Sequence, residues 1–451
     1  MNSRPYDLII KDGMCFLPHP SGSGFSQQLA DIAIVDGKID KISTSINDAT
    51  KKVISAKGLH VFPGIIDTQV HFREPGLTHK EDLETGTRSA VLGGVTTIFE
   101  MPNTNPSTTT QAALEDKLQR ASGRAHANYA FFVGGSPENV ENLGWLECLP
   151  HCSGVKIFMG SSTGNLLVED DATLERILKQ GHRRMIFHSE DEMRLRERKH
   201  LAIEKADVHF HPVWRDVETA VSSTRRLLHL ARVTGRKVHI LHISTAEEMD
   251  ILKDQKDIAT VEVLPQHLTL YAPDCYDRLG TYAQQNPPIR EKYHLERLWK
   301  AITDETVDII GSDHAPHTRE EKEKAYPNSP SGLPSVQTLL PIMLNHVNEG
   351  RLSLNRFLEL VTLNPVRIFG IKNKGLLKQG YDADITLVDL KKKNVIDNSW
   401  IASRSGWTPY HGMQVQGWMT HTIVSGVLAM ENDEIIAPAS GKPVDFLDTR
   451  I

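Results

Sequence analysis

Residues 61–76 read VFPGIIDTQVHFREPG. The run is apolar at its start, through Val61, Phe62, Ile65 and Ile66, and polar at its end. An apolar stretch of this length bounded by Gly and Pro reads as a buried strand. Alternation then places Asp67, Gln69, His71 and Arg73 on one face and Thr68, Val70 and Phe72 on the other. A carboxylate, an imidazole and a guanidinium on one side of a strand end look like a reaction site. Gln69 is the unexpected member, standing where a second metal-binding histidine would make sense.

The same rhythm recurs along the middle of the chain. GVTTIFEMP (94–102), NYAFFVGG (128–135), GVKIFMG (154–160), RMIFHSE (184–190), KVHILHIS (237–244), ATVEVLP (259–265) and VDIIGSDHA (307–315) are further strand candidates, separated by helix-like segments. Between the fourth and fifth strands, Asp171 can cap a helix whose apolar face is Leu174, Ile177 and Leu178, ending near Gly181. Asp216 through Gly235 has the same grammar. Eight strands alternating with helices predict an α/β fold, a parallel (β/α)8 TIM barrel with its active site at the C-terminal strand ends.

The ends of the chain differ. YDLIIKDG, DIAIVDGKIDKIS and KKVISAKG near the start, and ADITLVDL and MTHTIVSGVLAM near the end, read as short strands joined by turns. Residues 1–62 and 375–451 are therefore expected to form one composite β-sandwich domain around a barrel of residues 63–374. The charged run TREEKEKAYPNSP (318–330) after the eighth strand reads as a solvated face placed to cover the barrel mouth.

Composition narrows the function. The 451 residues are 39% hydrophobic and 24% charged, as in a soluble globular protein with a sizeable core, and the net charge is −6. A phosphate-binding surface usually carries a basic excess, so nucleic acid is not an expected partner. Four cysteines are too few for a disulfide framework; Cys148 and Cys152 lack a second pair to complete a metal site, and free thiols in a reducing cytoplasm are expected. The start of the chain lacks the apolar stretch of a signal peptide, and no run approaches the roughly 20 apolar residues that cross a bilayer. A small-molecule substrate and a homodimer, the commonest symmetric assembly, are expected.

Candidate reactive residues fall at the strand ends: His71 and Arg73 on strand one, Asn103 after strand two, Lys156 on strand four, His188 on strand five, His242 on strand six and Asp313 on strand eight. His239 and His242 share a strand, so alternation sends at most one of them into the barrel. Lys156, flanked by Val155, Ile157 and Phe158, faces a large desolvation cost. An ion pair with an acidic neighbour is one explanation. The other is a depressed pKa and a reactive neutral amine, which can take up CO2 to become a carbamate. Such an anion can bridge two zinc ions, with imidazoles and a carboxylate completing an open, catalytic coordination set. GSSTG (160–164) fits the G-x-S-x-G pattern and makes Ser162 a rival nucleophile, although NLLVED delays the helix that motif requires. Neither a Walker A motif nor G-x-G-x-x-G is present.

Together these blocks resemble the amidohydrolase superfamily, and within it the dihydroorotases. PGIIDTQVHFREPG, EMPNTNP, GVKIFMGSSTG, FHSED, LHIST, QNPPIR and SDHAPH are similar to that family's motifs in the same order, and GYDADITLVD and SGWTPYHG extend the likeness to the C-terminal region. The resemblance implies a zinc enzyme, with one or two Zn2+ per chain, that interconverts N-carbamoyl-L-aspartate and L-dihydroorotate. It places His71 and Asp313 on one metal, His188 and His242 on the other, and carboxylated Lys156 between them. It makes Asp313 the proton acceptor and donor. Arg73, Asn103 and His317 would hold the substrate carboxylate, and Asn286, Ser331 and Gly332 the ring. Hydantoinase or allantoinase activity, or a noncatalytic scaffold on the same fold, are the alternatives. The chain departs from the family's His-x-His at Gln69, which would weaken that side of the metal centre. It departs again at Gln266, in a block where relatives often carry a histidine; Gln266 is expected outside the metal shell.

Overall fold

Strands buried along their whole length are the local units of the barrel. In the computed structural model, which describes residues 4–22, 24–160 and 166–449, every residue of Ile65–Val70, Val95–Glu100, Asn128–Gly134, Cys152–Phe158, Met185–His188, Val238–Ile240, Ala259–Val263 and Ile309–Ile310 is buried. Each pairs in parallel with the next. A parallel bridge from Val70 to His314 brings the first strand against the eighth. This is a (β/α)8 TIM barrel. Away from the reactive ends its interior is filled by Ile66, Phe99, Phe132 and Ile186, against which Phe369, Ile371, Val444 and Phe446 pack.

Side-chain caps set the helix starts. Asp216 accepts from the backbone N–H of Thr219 and opens Val217–Thr234, which ends at Gly235 with φ of 69°. In the helix Asp171–Leu178 the cap is Asp170, accepting from Thr173 at 2.8 Å, not the expected Asp171. Both aspartates offer the same side chain, and the extended backbone at Asp170 selects between them.

A second, nine-stranded sheet is built from both ends of the chain. Its seam is His60–Pro63, antiparallel to Ile385–Val395 and parallel to Leu8–Pro18. Ile10, Ile32, Ile54, Val61, Ile385 and Ile423 form its core. The chain passes from this sheet into the barrel at Gly64, where a Cβ would lie 2.3 Å from Thr96 Oγ1 and 2.6 Å from Asp384 Cβ; only glycine fits.

The charged run after the eighth strand is more than a solvated face. Thr318 and Glu321 form a capping box on Arg319–Lys322, and Lys322 and Tyr326 are buried. Ser162 lies outside the described residues.

Candidate metal centre and substrate pocket

One cavity of about 310 Å3 opens at the reactive strand ends. The candidate ligands His71, Lys156, His188, His242 and Asp313 line it. So do Arg73, Asn103, Asn286, His317, Ser331 and Gly332, with Gln69, Phe158, Ala315 and Pro330 between them. Residues from the ends of seven of the eight strands, or the loops that follow them, thus converge on one space.

The first strand reaches the cavity by an irregular route. Its pairing with the second strand shifts register between Asp67 and Val70. Simple alternation therefore fails at Asp67, which does not line the cavity; its Oδ1 accepts from the backbone N–H groups of Gln69 (3.2 Å) and Ser312 (3.0 Å). Thr68, expected on the opposite face, donates to Glu262 Oε2 of the seventh strand at 3.3 Å. Strand six departs in a related way. His239 bonds Thr260 at 2.8 Å and packs its ring 5.9 Å from Phe369 in the barrel interior, while His242 lines the cavity. Both histidines enter, because the strand ends at Ile240 and His242 takes a left-handed φ of 39°.

Arg73 (φ 63°) and Asp313 (φ 46°) share that strained conformation, which costs roughly 1–2 kcal/mol per residue. Two buried carboxylates hold the turns in place. Glu262 Oε1 accepts from His242 N at 3.3 Å, and Asp67 holds the amide of Ser312, next to Asp313.

Two pairs of side chains face one another across the cavity. On one side, His188 Nε2 meets Glu190 Oε2 at 2.8 Å, while His188 Nδ1 lies 3.0 Å from His242 Nε2. Burial opposes charge on Glu190, but the Arg215 guanidinium, ahead of His188, holds its carboxyl far below the usual range. Burial also keeps His188 and His242 below the ordinary imidazole pKa, so both rings are neutral at pH 7. With its Nε2–H donated to Glu190, His188 presents a lone pair at Nδ1. On the other side, His71 Nδ1 is 2.8 Å from Asn103 Oδ1 and Nε2 is 3.2 Å from Asp313 Oδ1. Gln69 Nε2 donates to the same oxygen at 3.0 Å, and Gln69 Oε1 is buried without a hydrogen-bond partner among the described residues. Burial opposes ionisation of Asp313; the contact with His71, then the fields of His242 and Lys156, outweigh it and keep the carboxylate charged.

Separations of 3.0 and 3.2 Å are close to the edge of a zinc tetrahedron, about 3.3 Å for nitrogen or oxygen ligands near 2.05 Å. Lys156 stands between the pairs, 1% exposed, with no hydrogen bond or ion pair among the described residues and its Nζ 4.6 Å from the Phe158 ring centroid. Burial pulls its pKa down to about 7 against the opposing fields of Asp313 and Glu262. The donor set suits a divalent metal.

The other end of the cavity is cationic. Arg73 is buried, and burial lowers its pKa to about 10, still charged at neutral pH. Its Nε donates to Pro316 O at 3.2 Å, and no carboxylate pairs with it among the described residues. His317 Nε2 lies 3.0 Å from Ser331 O and 3.3 Å from Arg73, and its Nδ1 accepts from Lys80 at 3.0 Å. His211 Nε2 sets Asn286 through Oδ1 at 3.1 Å.

Glu190, Arg215, Glu262 and His211 were not singled out in the sequence. Glu190 left a trace, a carboxylate two residues after His188; the others are brought in from distant segments and left none. Gln266 lies outside the cavity lining and donates to Ser312 O at 2.9 Å. Glu147, Cys148 and His182 form a separate group with ligand atoms within 4.8 Å of one another. Glu147 Oε1 is occupied there by the backbone N–H groups of His182 (2.6 Å) and Arg183 (3.0 Å), the pattern of a loop staple.

Comparison with known proteins gives a consistent picture. The amidohydrolase family profile matches residues 60–429. The chain is 34% identical over 432 residues to a dihydroorotase of Methanosarcina mazei, covering 92% of this chain and 94% of that protein. It is 35% identical over 421 residues to a dihydroorotase of Pyrococcus abyssi, with coverage of 92% and 94%. Among solved structures, the L-hydantoinase (dihydropyrimidinase) of Arthrobacter aurescens superimposes with a TM-score of 0.91 at 29% identity, over 98% of this chain and 100% of that one. A D-hydantoinase gives 0.88 at 26% identity, over 98% and 99%.

Proposed function

The chain belongs to the amidohydrolase family, and we propose that it is a zinc-dependent dihydroorotase, interconverting N-carbamoyl-L-aspartate and L-dihydroorotate in pyrimidine synthesis. One observation carries the choice of substrate. Arg73 is a buried guanidinium with no carboxylate partner among the described residues, and it shares a cavity with the facing histidine pairs and Lys156. A buried cation in that position calls for an anionic ligand.

In this reading, His71 and Asp313 hold one zinc ion, His188 and His242 another, and Lys156, carboxylated by CO2, lies between them. Zinc bound there supplies Lewis acidity toward the ring carbonyl and toward water. Asp313, kept ionised in the cavity, accepts the proton of the attacking water. It returns that proton to the ring nitrogen as the amide C–N bond breaks, and the nitrogen leaves as the carbamoyl NH2. Cyclisation runs the same transfers backwards and expels water. Arg73 has spent Nε on Pro316 and holds one terminal nitrogen 3.3 Å from His317 Nε2, which leaves N–H groups of the terminal nitrogens for the substrate carboxylate. Asn103 and His317 flank it, and Asn286, Ser331 and Gly332 form the wall facing the ring. Residues 63–374 form the catalytic unit, framed by residues 1–62 and 375–451. Cys15, Cys148, Cys152 and Cys275 are buried and form no disulfide among the described residues, in keeping with a cytoplasmic setting.

Hydantoinase activity is the second reading, favoured by the structural likeness to hydantoinases. A simple hydantoin needs no carboxylate clamp, so Arg73 supports the first reading over this one. The test is to assay cyclisation of carbamoyl-aspartate and hydrolysis of a hydantoin beside zinc content, before and after chelation. The proposal expects turnover of carbamoyl-aspartate that is lost with the metal and restored by zinc. Turnover that survives complete metal removal sinks the zinc mechanism, and turnover of the hydantoin alone moves the assignment to the second reading.

A further inference from the structure

Lys322 is a lysine without an acid. It is fully buried, and no carboxylate lies within ion-pair distance of its Nζ among the described residues. Its three donors go to backbone carbonyls instead: Gln284 O at 3.0 Å, Pro330 O at 2.8 Å and Gly332 O at 3.2 Å. An ammonium has three donors and no acceptor, so this set satisfies it completely. The Trp407 ring covers it with a centroid 5.8 Å away. Burial alone pulls its pKa to about 7.

The carbonyls belong to two segments that both reach the cavity. One carries Gln284 and leads to Asn286; the other runs through Ser329, Pro330, Ser331 and Gly332. Gln284 completes the joint. Its Nε2 donates to Ser329 O (2.9 Å) and Ser331 Oγ (3.1 Å), its Oε1 accepts from Ser329 Oγ (2.6 Å), and its backbone carbonyl accepts from Gly332 N (2.9 Å). Gly332 has φ of 143°, and a Cβ there would lie 2.3 Å from Ala315 O, so this wall is pressed against the eighth-strand loop. A buried cation without a counter-charge is costly, and its hydrogen bonds are spent entirely on assembling this wall.

We propose that Lys322 is a positioning residue for the reaction: its ammonium binds three carbonyls at once and locks the 329–332 segment to the Gln284–Asn286 segment, presenting Ser331 and Gly332 to the cyclic substrate. This rests on the reading that Ser331 and Gly332 face the ring.

The experiment compares the full-length parent, loaded with zinc, with Lys322→Met, and with Gln284→Met should the first variant fail to fold. Three quantities are read: zinc content, kcat and KM with dihydroorotate, and hydrogen exchange of the backbone amides. The expected result is unchanged zinc, faster exchange confined to residues 329–333, and a KM raised about five- to thirtyfold with kcat changed far less. Unchanged exchange overturns the staple, whatever the kinetics. Faster exchange with an unchanged KM overturns the positioning role. A parent that turns over no cyclic amide removes the functional reading beneath the proposal, and exchange then judges the staple alone.

Discussion

His188 and His242 meet nitrogen to nitrogen at 3.0 Å although 54 residues separate them, and Glu190 fixes the far side of His188 at 2.8 Å. A carboxylate behind a ligating imidazole orients the ring and raises its basicity. Glu190→Gln is therefore expected to weaken zinc retention on this side about 10- to 100-fold, and activity with it. Zinc titration against a coloured chelator measures this; an unchanged affinity would remove Glu190 from the centre.

Lys156 sets a pH dependence. Burial lowers its pKa to about 7, so the reactive neutral amine is the majority form above pH 7 and falls about tenfold for each unit below it. Burial also shifts His71, His188 and His242 downward from the ordinary imidazole value, so these rings are neutral at pH 7 and above, where the rise is read. At fixed dissolved CO2 and zinc, reactivation of metal-stripped protein is expected to rise with pH and level off near pH 8. A rate that keeps climbing tenfold per unit to pH 9 would show an ordinary lysine.

Lys156→Ala is expected to abolish turnover, with partial recovery on adding a short carboxylic acid that stands in for the carbamate. Near-normal activity in this variant contradicts a bridging role.

Gln69 shares Asp313 Oδ1 with His71, and its own Oε1 has no hydrogen-bond partner among the described residues. An amide is a weaker zinc ligand than an imidazole. Gln69→His is therefore expected to raise the zinc retained per chain after dialysis, read by elemental analysis. Equal zinc in parent and variant would mean that the glutamine already ligates competently or stands outside the metal shell.

Arg73→Gln removes the buried guanidinium placed for the substrate carboxylate. A charge-assisted hydrogen bond is worth about 1.5–3 kcal/mol, so KM for dihydroorotate is expected to rise by about one to two orders of magnitude. Any hydrolysis of an uncharged hydantoin would change little. Equal losses on both substrates would show a structural role for Arg73.

The sequence by itself determined the barrel. Eight apolar runs with turn signals between them have few ways to bury their surface, and parallel closure with helices outside is the one their spacing permits. It also placed the candidate ligands, because reactive residues at the ends of buried strands must gather at one rim. What it could not determine were the partners that hold those residues. Simple alternation misplaced Asp67 and Thr68 and allowed only one of His239 and His242 inside, because a register shift and a left-handed φ interrupt the period. Glu190 with Arg215, Glu262 behind His242, and Lys322 beneath the 329–332 wall became legible only in the folded chain. The reason is physical. Periodicity records which face a residue turns toward the core, whereas hydrogen-bond partners of a buried charge are chosen by proximity in space, and closure of the barrel alone brings them together.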